Sequence, residues 1–297
     1  MGAFALVCLG GLFLDDRVLV GAPIWAKPFK FAVSFVAYAL TLAWMLSLLP
    51  GARARRVGWW AGTVLTFASL AEMVLITTQV VRGKQSHFNN ATAFDAALFS
   101  AMGMTVVVLW LAALVIAVLL LRARILDRAT AWAVRISSAI ALAGAAVGFV
   151  MVRPTPAQLA QDNPVIVGAH SVGVPDGGPG LPLMGWSTTG GDLRIAHFFG
   201  MHALQLIPLL LLVLAALAPR FARLADDRIR LRLVLVASAA YTATFLLIAW
   251  QALRGQPLLS PDALTLGTAT AIALLTLTAT TLALRTPKPT SPDHLPS

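Results

Sequence analysis

The stretch Ala96-Ala-Leu-Phe-Ser-Ala-Met-Gly-Met-Thr-Val-Val-Val-Leu-Trp-Leu-Ala-Ala-Leu-Val-Ile-Ala-Val-Leu-Leu-Leu121 decides the fold class, because it contains no charged residue. About 20 apolar residues at roughly 1.5 Å each cross a hydrocarbon core of about 30 Å. Similar runs lie near Phe29–Leu49, Val57–Val80, Ala131–Val152, Ala196–Leu217, Leu233–Leu253 and Ala263–Leu284. Met1–Leu14 is apolar but short. The expected fold is an all-α, polytopic integral membrane bundle of about eight spans, seven if Met1–Leu14 does not cross.

Composition agrees. The chain has 297 residues, 59% apolar and 11% charged, where a soluble domain carries about a quarter charged residues. A membrane barrel would instead show short alternating segments. Residues 1–285 are read as one transmembrane domain. Residues 286–297, rich in Pro, Ser and Thr, are read as a disordered tail. Cys8 is the single cysteine, so no internal disulfide forms.

The net charge of +10 does not indicate a nucleic-acid partner, because the Lys and Arg residues lie between apolar runs. The partner is the lipid bilayer, and the charges orient the chain in it. Thirteen Lys and Arg fall in one set of connections (around Arg53, Arg122, Arg220 and Arg285) and eight in the alternate set. Positive-inside logic makes the first set cytoplasmic in a bacterial inner membrane, with the C-terminus inside. The connections at Asp15–Lys30, Arg82–Phe94 and Arg153–Ile195 then lie outside. The last is long and rich in Gly and Pro, and is expected to fold back as a lid over an outward-facing polar pocket.

Two matches suggest duplication. Gln79-Val-Val-Arg82-Gly83 resembles Gln251-Ala-Leu-Arg254-Gly255, and Lys30-Phe-Ala-Val-Ser-Phe35 resembles Arg194-Ile-Ala-His-Phe-Phe199. Their spacing fits two parallel halves of four spans, an arrangement found in transporters.

Polar groups within or beside the spans are the candidate site. Glu72 is the only glutamate, and a carboxyl inside a span is a candidate proton carrier. Gln79 follows on nearly the same face. Thr92-x-x-Asp95 reads as a capping box, with His87 in the loop before it. Asp192 is placed to cap the span that carries Arg194, His197, His202 and Gln205. His197 and His202 are separated by about 140° around a helix, so they are not a metal pair by themselves. Their plain structural alternative is hydrogen bonding between helices. Convergence of His87, His170, His197 and His202 would make a divalent-metal or haem site. The leading expectation is binding or proton-coupled transport of a small polar solute. A membrane metallo- or haem protein, or a structural or regulatory subunit, are the other readings.

Overall fold

A computed structural model describes residues 1–285; the tail assigned to residues 286–297 lies outside the described residues. The helices are α1 Gly2–Leu14, α2 Ala26–Ser47, α3 Ala52–Val81, α4 Ala93–Arg122, α5 Arg128–Met151, α6 Pro156–Leu159, α7 Leu193–Leu217, α8 Asp227–Leu253 and α9 Ala263–Ala283. Seven of them are long and apolar enough to cross a membrane. The protein is an all-α polytopic membrane bundle. α1 has 13 residues, about 20 Å at the α-helical rise, and falls short of that length.

Most helices begin a few residues before the apolar runs do. Hydropathy marks the hydrocarbon segment, whereas the helix starts at its cap. Thr92, Asp127, Asp192 and Asp226 each accept a backbone N–H in the following first turn, satisfying a donor that the helix leaves open. The outward surfaces are apolar. Phe67, Leu111, Leu274 and Leu275 are at least half exposed, as lipid-facing side chains should be and as a soluble protein's rarely are.

The helices pack in two groups, and in the second α5 also packs on α8. α1 packs on α2, α2 on α3 and α3 on α4; α5 packs on α7, α7 on α8 and α8 on α9. The sets meet where α4 touches α5 and α2 touches α7. The closest approach is α5 on α7. A Cβ on Gly144 would stand 2.5 Å from the Gly200 backbone, so only glycine permits this crossing. Tyr241 of α8 stacks on Phe199 and donates its hydroxyl to the Phe199 carbonyl at 2.5 Å.

The non-helical connections gather at one end of the bundle, here called the loop end. Arg17 reaches the Val81 carbonyl. Asn90 and Val167 exchange backbone bonds with Val165 and Phe88, which ties the α3–α4 connection to the long loop. Within that loop, β3 Ser171–Val172 pairs antiparallel with β4 Gly191–Asp192. A hairpin of β1 Val18–Leu19 and β2 Ala22–Pro23 turns at Gly21, whose φ of +73° is glycine's territory and whose missing Cβ admits the Gly177 carbonyl. The opposite end carries the arginine-rich connections.

Candidate functional site

Glu72 lies in α3 with no solvent exposure. Its Oε2 is 2.5 Å from Thr105 Oγ1 of α4. The Thr105 oxygen is also 2.8 Å from the Met102 carbonyl. A hydroxyl has one proton to give. If that proton satisfies Met102, as threonines in helices commonly do, the contact with Glu72 needs a proton on the carboxyl. Glu72 Oε1 has no hydrogen-bond partner and sits 3.8 Å from His87 Nε2.

His87 reaches this position because the α3–α4 connection folds inward. Phe88 adopts a φ of +64°, an uncommon conformation for a side chain of that size. Its ring is buried between His87 and His170, and its carbonyl accepts the Val167 N–H. The His87 ring lies among Phe31, Phe88 and Phe99, with Ser86 Oγ 3.1 Å from Nδ1. Burial pushes the His87 pKa well below its ordinary value, and the charges of Lys27, His170 and His197 push the same way. The ring is held neutral.

His170 belongs to the same wall. Its ring packs 4.7 Å from Phe88 and its Nδ1 is 2.8 Å from Asp176. Asp176 also accepts the backbone N–H groups of His170 and Ser171. Burial lowers the His170 pKa more than Asp176 raises it. Burial works to raise the Asp176 carboxyl, but the bonds from His170 and the backbone hold it below the usual range.

Lys27, in the first turn of α2, faces this cluster. It lies within electrostatic reach of Glu72, Arg194, Lys30 and Asp176. Among the described residues its ammonium has no hydrogen bond or ion pair. Lys30 donates to the Met184 carbonyl at 3.2 Å. Arg194 donates to the next carbonyl, Gly185, at 2.6 Å and forks onto Asp192. The two cations that match in the sequence repeat therefore hold adjacent carbonyls of one lid turn. Asp192 is buried, caps α7, and also accepts the Ser187 N–H.

The remaining sequence candidates go elsewhere. Gln79 donates to Asp95 at 2.9 Å, Arg82 bonds both, and Thr92 closes the box on Asp95. These form a clamp between α3 and α4. His197 Nδ1 bonds the Gly144 carbonyl at 2.8 Å, an interhelical bond between α7 and α5. His202 pairs locally with Gln205 at 3.2 Å. The four imidazoles expected to converge on a metal or haem thus have separate partners. Among the described residues no group of three or more His, Cys, Asp or Glu side chains is placed to hold a metal ion.

Glu72 and Phe88 are buried at the base of the cluster, while Lys27, His87, His170 and Asp176 remain partly exposed. One apolar groove lies on the outward surface between Trp60, Phe67 and Met104. Sequence reasoning missed Lys27, Lys30, Thr105 and Asp176. Lys27 was read only as an orienting charge, although a lysine in a helix's first turn opposes its dipole and so calls for a reason. No known protein family, characterised protein or solved structure matches the chain.

Proposed function

We propose that this multi-pass protein sits in a bacterial cytoplasmic membrane, with its loop end outside and its C-terminus inside, and transports a small polar solute with a proton carried by Glu72. The observation that carries the reading is the Glu72 carboxyl: sealed from solvent, one oxygen on Thr105 and the other unpartnered beside a neutral His87. A carboxyl placed inside a span costs about 2.5–3.5 kcal/mol when charged, so stability alone gives no reason to keep it. The proton inventory at Thr105 favours the protonated acid. His87 Nε2, 3.8 Å from the free carboxyl oxygen, lies on the loop-end side of the acid. The orientation rests on the distribution of Lys and Arg.

The test uses proteoliposomes that enclose a pH-sensitive dye, exposed in turn to sugars, amino acids, carboxylates and inorganic phosphate. At least one solute should drive an internal pH change with wild-type protein, and Glu72→Gln should abolish that change. Proton movement that persists undiminished in Glu72→Gln, or none with any solute class, would overturn the proposal.

A further inference from the structure

We propose that the groove between α3 and α4 seats one anionic phospholipid, with an acyl chain against Trp60, Phe67 and Met104 and the phosphate on Arg53 and Arg56. The groove runs along the outward surface where these two helices pack on each other. Its α3 wall is Trp60, Thr63, Val64, Phe67 and Ala71, a spacing of three and four that keeps to one helix face. Trp60, Phe67 and Met104 are each more than half exposed. The two threonines of the groove are already engaged. Thr63 donates its hydroxyl to the Trp59 carbonyl of its own helix, and the Thr105 oxygen lies against the Met102 carbonyl and Glu72. Neither is left to hold a polar ligand, so the groove suits hydrocarbon, which it can grip by close packing.

The charge at one end of the groove says which lipid. Continuing the same helix face toward the arginine-rich end gives Arg56, four residues before Trp60, and then Arg53. Both are exposed. Among the described residues neither guanidinium has a hydrogen bond or an ion pair, whereas Arg17, Arg82, Arg194, Arg230 and Arg254 each pair with an aspartate. Arg122, in the last turn of α4, adds a third cation at that end. Arg53 and Trp60 are about 10 Å apart along the helix. Tryptophan favours headgroup level, so the cations stand where a phosphate lies and the groove begins where the chains do. Guanidinium groups bind phosphate through paired N–H donors, and basic sites between spans take anionic headgroups. A zwitterionic lipid would fill the groove as well, but it brings a cation of its own toward the arginines.

The experiment measures thermal unfolding of the full chain in neutral detergent, titrated with phosphatidylglycerol or with phosphatidylcholine of the same acyl chains. Phosphatidylglycerol should raise the wild-type midpoint saturably, as a ligand of the native state does, with an apparent affinity at least tenfold above that of phosphatidylcholine. The double variant Arg53→Gln, Arg56→Gln should erase that preference, and Arg53→Lys, Arg56→Lys should keep most of it. Ala71→Trp fills the groove and leaves the arginines in place, and it should weaken phosphatidylglycerol at least tenfold. Arg220→Gln with Arg223→Gln removes the same charge at the same end but away from the groove, and should leave the preference as in wild type. Equal stabilisation of wild-type protein by the two lipids would overturn the proposal. So would an equal loss in both arginine pairs, which assigns the preference to diffuse surface charge, or an unchanged affinity in Ala71→Trp, which takes the chain out of the groove.

Discussion

Two hairpins at the loop end are built alike and equipped differently. α3 ends in Gln79-Val-Val-Arg82-Gly83 and α8 in Gln251-Ala-Leu-Arg254-Gly255. In each, the arginine pairs with the aspartate that starts the next helix, Asp95 or Asp262, and lies over an aromatic ring, Phe94 or Trp250. Seven residues before the glutamine the likeness ends. The first hairpin has Glu72 there. The second has Thr244, bonded back to the Ala240 carbonyl of its own helix. The first also has His87 in its connection, while the connection from Gln256 to Pro261 contains no histidine. The difference separates architecture from equipment: both hairpins share an Arg–Asp pair, the glutamines bond differently (Gln79 to Asp95, Gln251 to the Pro257 carbonyl), and Glu72 with His87 is what the first adds.

The sharpest way to break this comparison is to remove the two clamp acids in turn. Asp95 is 1% exposed and accepts from Gln79, Arg82 and Thr92. Asp95→Ala leaves the buried Gln79 amide without its acceptor and the partly buried Arg82 guanidinium without its counter-ion, though still bonded to Gln79 Oε1, at a cost of about 2–3 kcal/mol. Asp262 stands more in solvent, and Asp262→Ala should cost distinctly less, since water replaces much of what is lost. Thermal unfolding of both variants in detergent checks the order. Equal losses would mean that the second clamp carries as much of the fold as the first.

The Thr92–Asp95 cap was legible in the sequence because both residues belong to one helix start, whereas the bonds of Gln79 and Arg82 to Asp95 cross from another helix and were not. The bundle was legible for the same reason, since every span is a local run. The assembly around Glu72 was not. Its members come from α2, α3, α4 and two loops, and nothing in Lys27, Thr105 or Asp176 announces a partner many residues away. For the same reason the sequence could not say whether the four loop-end histidines converge. Their actual partners include a backbone carbonyl, Gly144, which no residue pattern can indicate. Helix starts were misplaced by a few residues because hydropathy stops at the hydrocarbon while caps such as Asp127 and Asp226 continue into the interface.

Acid should separate the two hairpins next, with a smaller effect. His170, packed on the first hairpin through Phe88, has a folded pKa below its ordinary value of 6.5, and so does His87. Below about 6.5 the unfolded chain binds protons that the folded chain does not, so folded stability rises with pH across this window and is lost as pH falls through it. Asp176 adds loss in the same direction, but only at lower pH, because its folded pKa is depressed. Asp262 of the second hairpin is depressed too, by Arg254 and the Thr265 contacts, and has no histidine beside it. The unfolding midpoint should therefore fall between about pH 7 and about pH 5. His170→Asn should flatten that fall, and Asp262→Asn should leave it in place. A fall unchanged in His170→Asn would move the acid sensitivity to His87.

The smallest expected effect concerns the two cations that hold the turn at Met184–Gly185. Lys30 and Arg194 match in the repeat and hold adjacent carbonyls, Met184 and Gly185, of the lid turn. They are not equivalent, because Arg194 is also fixed by its fork on Asp192, whereas Lys30 has the lid carbonyl alone. Lys30→Met keeps the apolar stem and removes one hydrogen bond from a charged donor to a carbonyl. The global cost should be about 1 kcal/mol or less, since net hydrogen-bond contributions are of that order. The local cost should be visible, because opening the turn then needs release from Arg194 only. Hydrogen exchange of the amides from Met184 to Ser187 should quicken in Lys30→Met while exchange within α5 and α7 stays as in wild type. Unchanged exchange at the turn would show that Arg194 alone holds it, and that Lys30 serves the groups beneath it rather than the cover.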